Sequence, residues 1–98
     1  MNIFENDGAK LLVNALMMLN TREEYEAFLE DLLTTKELLD LSQRIMVAKL
    51  LTEKKVYSKI AEETGASSAT ISRVNRSFCY GKDGYKNFFA KLDEKDAK

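Results

Sequence analysis

Residues 57–81 read YSKIAEETGASSATISRVNRSFCYG, and the order of small, apolar and polar side chains in this stretch decides how the rest of the chain is read. Counting from Tyr57, aliphatic residues fall at the fourth, fifteenth and eighteenth positions (Ile60, Ile71, Val74), alanine at the fifth (Ala61) and glycine at the ninth (Gly65). Two short helices that cross steeply need a small side chain where they meet, which Ala61 supplies. The turn between them needs a residue at ease in the left-handed region, and Gly65 has no Cβ to penalise it there. Ser67 is placed to cap the second helix on a free first-turn amide, while Ile71, Val74 and Phe78 recur at i, i+3 and i+7 on one face. The opposite face carries Ser68, Ala69, Ser72, Arg73 and Arg76.

This spacing predicts a helix-turn-helix over about 57–79, with the second helix as a reader of double-stranded DNA. Short serine and alanine side chains near its start let the backbone approach base edges, where hydroxyls bond to bases and a methyl meets the thymine methyl. Arginines further along reach phosphates or guanine. An ordinary helical hairpin with a glycine turn would explain Gly65 alone, but not the five fitted positions together with the serine and arginine face.

Charge is distributed in keeping with this reading. The whole chain holds 15 Lys+Arg and 16 Asp+Glu, a net charge of -1, which by itself does not suggest nucleic acid. From Lys54 to Lys86, however, seven basic residues stand against three acidic ones, whereas residues 1–53 hold five basic and ten acidic. Phosphate neutralisation is local, so a basic end suffices for DNA while an acidic end keeps the protein soluble.

At 98 residues the chain is expected to form a single domain, 1–98. No apolar run is long enough to span a bilayer, and the opening MNIFENDGAK is too polar for a signal peptide, so a cytoplasmic protein is expected. The chain has no histidine, the commonest metal ligand and general base, and no metal site or cofactor is expected. Glu23 with Glu24 and Glu62 with Glu63 are neighbours in sequence and point to different parts of a helix surface, a poor arrangement for acid–base work. Without a Gly-rich phosphate loop or a nucleophile motif, an enzyme is not expected. Cys79 is the one cysteine, which forbids an internal disulfide, and it reads as a small apolar filler beside Phe78.

The chain lacks proline and alternating strand patterns, so the fold class expected is all-α. Two capping boxes, Thr21 with Glu24 and Thr34 with Glu37, mark helix starts. They predict a first helix from about Asp7 to Leu19 with Leu12, Ala15, Leu16 and Leu19 on one side. A second follows from Arg22, burying Tyr25, Phe28, Leu29, Leu32 and Leu33, and a long third runs from Thr35 to about Glu53. The later part of the third helix (Ile45, Met46, Val47, Ala48, Leu50, Leu51) is apolar almost all round and must be covered on several sides. After a turn at Gly81–Gly84, Tyr85, Phe88, Phe89 and Leu92 form the stripe of a sixth helix, and the last residues, DEKDAK, are expected to fray. Leu11, Leu12, Leu16, Met17, Met18, Leu19, Leu32 and Leu33 exceed what one long helix covers. This favours a homodimer over a compact core shared with the sixth helix.

Three helices, a helix-turn-helix and a closing helix resemble the Trp repressor superfamily, and most of all its YerC/YecD type. The residues that carry the resemblance are LSQRIMVAKLL (41–51), KIAEETGASSATISR (59–73) and VNRS (74–77). The resemblance implies a six-helix, intertwined homodimer that holds out two DNA-reading heads. It places Ser58, Ser68, Ala69 and Ser72 toward bases, and Tyr57, Lys59, Ala61 and Thr70 toward phosphate. The candidate DNA-contacting set is thus Tyr57, Ser58, Lys59, Ser67, Ser68, Ala69, Thr70, Ser72, Arg73 and Arg76.

The resemblance also implies an effector pocket at Arg44, Arg73, Val74 and Ser77. In the tryptophan-binding members an arginine is followed at once by a glycine, and the indole lies against that backbone, with a second arginine from the third helix. Arg73 matches the first arginine and Ser77 a nearby serine, and Arg44 corresponds to the second with the spacing off by one. Val74 replaces the glycine and is expected to fill the pocket. The implied function is a sequence-specific transcription regulator, by analogy a repressor, that does not depend on tryptophan and whose effector is unknown. The alternative is a non-enzymatic helical protein-interaction module that has lost DNA binding.

Overall fold

The structure, a computed structural model, describes residues 2–97. Every regular element among them is helical: a single 3-10 turn at Ile3–Glu5, then α1 (Asp7–Met17), α2 (Arg22–Leu32), α3 (Thr35–Thr52), α4 (Tyr57–Thr64), α5 (Ser68–Tyr80) and α6 (Gly84–Ala97). By their contacts the described residues group into two compact units, divided between residues 38 and 39.

In the first unit the caps are local and polar. Asn6 accepts from the Ala9 amide at 3.0 Å and starts α1, and Thr21 accepts from the Glu24 amide at 3.1 Å and starts α2. The Thr34–Glu37 box closes in both directions, at 3.1 Å to the Glu37 amide and 2.9 Å from the Thr34 amide. The Thr21 box closes in one direction only, because Glu24 takes the Thr21 hydroxyl at 3.4 Å. α1 stops at Met17, short of the expected Leu19, where the Met18 amide folds back onto the Ala15 and Leu16 carbonyls.

None of the described residues of this unit is buried. Ala15, Leu16, Leu19, Phe28, Leu29 and Leu33 are half-buried, while Leu11 and Met17 stand 70% and 77% exposed. Tyr25 and Leu32, expected inside, are also exposed. Two helices of eleven residues each cannot enclose a side chain between them, so the apolar stripe of α2 is only partly covered within the first unit.

The second unit holds the core. Val47, Ala48 and Leu50 of α3, Ile60 of α4, Ala66 of the turn, Ile71 and Val74 of α5 and Phe89 of α6 are all buried together. Each fully buried aliphatic side chain of this kind contributes about 1.5–3 kcal/mol, so Val47, Ile60 and Ile71 fix how α3, α4 and α5 meet. The remaining faces of α3 are uncovered: Ile45 and Met46 are exposed. α3 ends with Lys54 in the left-handed region (φ 61°), the Lys54 amide reaching Leu51 and the Lys55 amide reaching Leu50.

α6 runs helical to Ala97, through the segment expected to fray from Asp93, and Lys98 lies outside the described residues. Its last turns, KLDEKDA, are rich in helix formers, and Lys95 sits at the negative end of the helix. Among the described residues no helix is long and apolar enough to cross a membrane.

Candidate nucleic-acid interface

α4 and α5 form the hairpin expected from their spacing. The Gly65 amide donates to the Ala61 carbonyl at 2.8 Å, and Gly65 sits at φ 74°, the left-handed conformation that ends α4. Thr64 consolidates the turn: its hydroxyl donates to the Ile60 carbonyl at 2.7 Å and accepts from the Ala66 amide at 3.1 Å. Gln43 of α3 then donates from Nε2 to the Thr64 carbonyl at 3.2 Å and ties this end of α4 to the long helix. Ser67 caps α5, its Oγ accepting from the Thr70 amide at 3.1 Å and donating to the Thr70 hydroxyl at 3.1 Å.

One face of α5 is committed to the core through Ile71 and Val74, with Phe78 half-buried beneath Lys86, whose Nζ lies 5.4 Å from the ring centroid. The other face presents Ser68, Ala69, Ser72, Arg73 and Arg76, all exposed. Tyr57, Ser58 and Lys59 at the start of α4 are exposed as well, and Ser67 lies at the turn. Thr70 is half-buried, its hydroxyl held by the Ser67 cap. Among the described residues neither Arg73 nor Arg76 pairs with a carboxylate, so both guanidinium groups are available to an outside anion.

Cys79 is exposed and not the apolar filler expected. Helical geometry explains the difference: with Ile71, Val74 and Phe78 inward, the residue after Phe78 is turned about 100° toward solvent. Its Sγ donates instead to Asn75 Oδ1 at 3.5 Å on the same helix. Tyr80, at the end of α5, is 87% exposed.

The four residues of the expected effector pocket lie around one cavity of about 190 Å³ in the second unit, lined by Arg44 of α3, Thr70, Arg73, Val74 and Ser77 of α5, and Tyr85 of α6. Val74 lines this cavity without closing it, because its side chain is spent in the core, where it is 3% exposed. Tyr85 was not legible as a pocket residue. Its place in the apolar stripe of α6 masked it.

Comparison with known proteins supports the same architecture. The sequence profile of the Trp repressor protein family matches residues 7–93. The Bacillus subtilis protein YerC, itself uncharacterized, is 45% identical over 83 residues, covering 85% of this chain and 80% of YerC. The crystal structure of a TrpR-like protein from Eubacterium eligens superposes with a TM-score of 0.89 at 47% identity, covering 95% of this chain and 96% of that one. A candidate Trp repressor from Staphylococcus aureus superposes with a TM-score of 0.86 at 39% identity, covering 95% of both chains. With the profile spanning nearly the whole chain and relatives this similar in sequence and fold, the chain belongs to the Trp repressor family.

Proposed function

We propose that this chain is a sequence-specific transcription regulator of the cytoplasm that reads the major groove of double-stranded DNA with α5. Repression is its expected sign, by analogy with the family. The observation that carries this reading is the α4–turn–α5 hairpin, with Gly65 at φ 74° and Ser68, Ala69, Ser72, Arg73 and Arg76 exposed on one face. Ser58, Ser68, Ala69 and Ser72 are assigned to bases, Tyr57, Lys59 and Thr70 to phosphates, and Arg73 and Arg76 to either.

The proposed working form is a homodimer acting as one domain through residues 1–98. The support is the first unit, in which none of the described residues is buried, together with the exposed Ile45 and Met46 of α3. A second copy supplies the apolar cover these helices lack, and a two-fold pair of readers matches two half-sites. The cavity at Arg44, Arg73, Val74 and Ser77 is proposed as an effector pocket that does not serve tryptophan.

A titration against duplex DNA at two salt concentrations tests the DNA reading. Affinity should fall steeply with salt, with a slope of about -0.9 for each phosphate contacted. Binding that is absent at low salt would leave the helical protein-interaction module in its place.

A further inference from the structure

α3 ends on a Schellman motif: the Lys54 amide donates to the Leu51 carbonyl at 3.0 Å and the Lys55 amide to the Leu50 carbonyl at 3.1 Å, with Lys54 itself at φ 61°. Glycine is the usual occupant of that position because it meets no Cβ penalty there, and asparagine and aspartate tolerate it next best. Asp83, the other non-glycine residue with positive φ among the described residues, follows that preference. Lysine does not. Backbone strain kept where glycine would remove it is a mark of a side chain in use.

The Lys54 side chain is exposed, and among the described residues its ammonium pairs with no carboxylate. Around it the segment 49–59 carries Lys49, Lys54, Lys55 and Lys59, all exposed, against Glu53 alone. The first turn of α4 adds no acidic residue, and Val56 at its cap offers no side-chain acceptor. Nothing in this segment offsets its excess of positive charge.

In a helix-turn-helix the second helix enters the major groove while the first crosses the sugar–phosphate backbone. α4 is that first helix, and the Cα atoms of Lys54 and Tyr57, its first residue, stand no more than about 11 Å apart along the chain. We infer that the corner between α3 and α4 docks on the DNA backbone, with Lys54 and Lys55 as phosphate contacts that position α5 in the groove. The inference rests on the DNA reading and extends its contact set to residues before Tyr57. Leu50 is buried with Ile60 and Ile71, so the end of α3 is fixed relative to both helices of the hairpin. The left-handed turn at Lys54 then roots its ammonium at a set place beside the reader. Such contacts fix orientation and carry no sequence information.

Titrations of the full chain against a panel of duplexes, between about 50 and 200 mM salt, test the inference. Lys54→Asn keeps the left-handed corner and removes the charge. It should bind every duplex about threefold or more weakly and lower the salt slope by about 0.9, the value of one phosphate contact. Lys55→Gln should do the same, and Lys54→Arg should keep the parent slope. Lys54→Gly should lose at least as much affinity as Lys54→Asn while melting higher than the parent, a split that a purely structural role does not produce. Lys95→Gln removes an exposed charge from the last turn of α6 and should leave the slope unchanged. A parent slope in Lys54→Asn, an equal fall in Lys95→Gln, or weakening confined to one duplex sequence each overturns the inference. So does a loss in Lys54→Gly alone, which would make the stiffness of the corner the cause and not its charge. A parent that binds no duplex at low salt removes the DNA reading itself, and the inference with it.

Discussion

Ser72 and Arg76 stand one helical turn apart on the outward face of α5, and the two side chains have different work to do there. A serine hydroxyl at close range discriminates between bases by hydrogen bonding, whereas an arginine that contacts phosphate adds affinity whatever the sequence. Arg76→Ala should therefore weaken binding to all duplexes alike and lower the salt slope by about one unit. Ser68→Ala or Ser72→Ala should change the preference at single base pairs by roughly 1–3 kcal/mol. All three residues are exposed, so melting temperatures should hold. Binding curves measured against a panel of duplexes check both effects, and variants indistinguishable from the parent on every sequence would remove sequence reading by this face.

At the scale of elements, the helices end by two different routes. α4 ends on Gly65 at φ 74° and α3 ends with Lys54 at φ 61°. A Cβ at Gly65 would touch nothing within 4 Å, so Gly65→Ala pays for the backbone conformation alone, about 1–2 kcal/mol. Lys54 already carries that strain, and Lys54→Gly should return about 0.5–1 kcal/mol once the extra flexibility of glycine in the unfolded chain is deducted. Thermal melts of the two variants should move in opposite directions. The turn at Gly65 was legible in sequence because glycine at the ninth position of the hairpin has a local cause, as did the serine and threonine caps. The turn at Lys54 was not, because lysine carries no turn signal and its conformation is imposed by the Leu50 and Leu51 carbonyls behind it. The outward turn of Cys79 follows from the helical period and could have been read from the spacing of Ile71, Val74 and Phe78. The cavity around Arg44 joins residues more than twenty-five positions apart, and only the resemblance, not periodicity, brought Arg44, Arg73 and Ser77 together beforehand.

For the whole molecule, the apolar inventory was legible and its cover was not. Tyr25, Phe28, Leu29, Leu32 and Leu33 form the stripe expected of the second helix, yet Tyr25 and Leu32 stay exposed and Phe28, Leu29 and Leu33 are only half-buried. A pattern of side chains reports that a face wants burial without reporting which chain buries it. If a second copy does so, unfolding and dissociation are one event, and stability rises with protein concentration. A tenfold increase should raise the melting temperature by about 3–5 °C. A melting curve independent of concentration, with light scattering at the mass of one chain, would show that the proposed dimer does not form.

The exposed thiol of Cys79 has a practical consequence for that geometry. It is the one sulfhydryl in the chain, and it lies on α5 three residues beyond Arg76. A maleimide-linked spin label or fluorophore therefore attaches at one defined place without any engineered residue. In a two-fold assembly the two probes report the distance between the reading helices directly, to be set against the length of about 34 Å that separates successive major grooves on one side of B-form DNA.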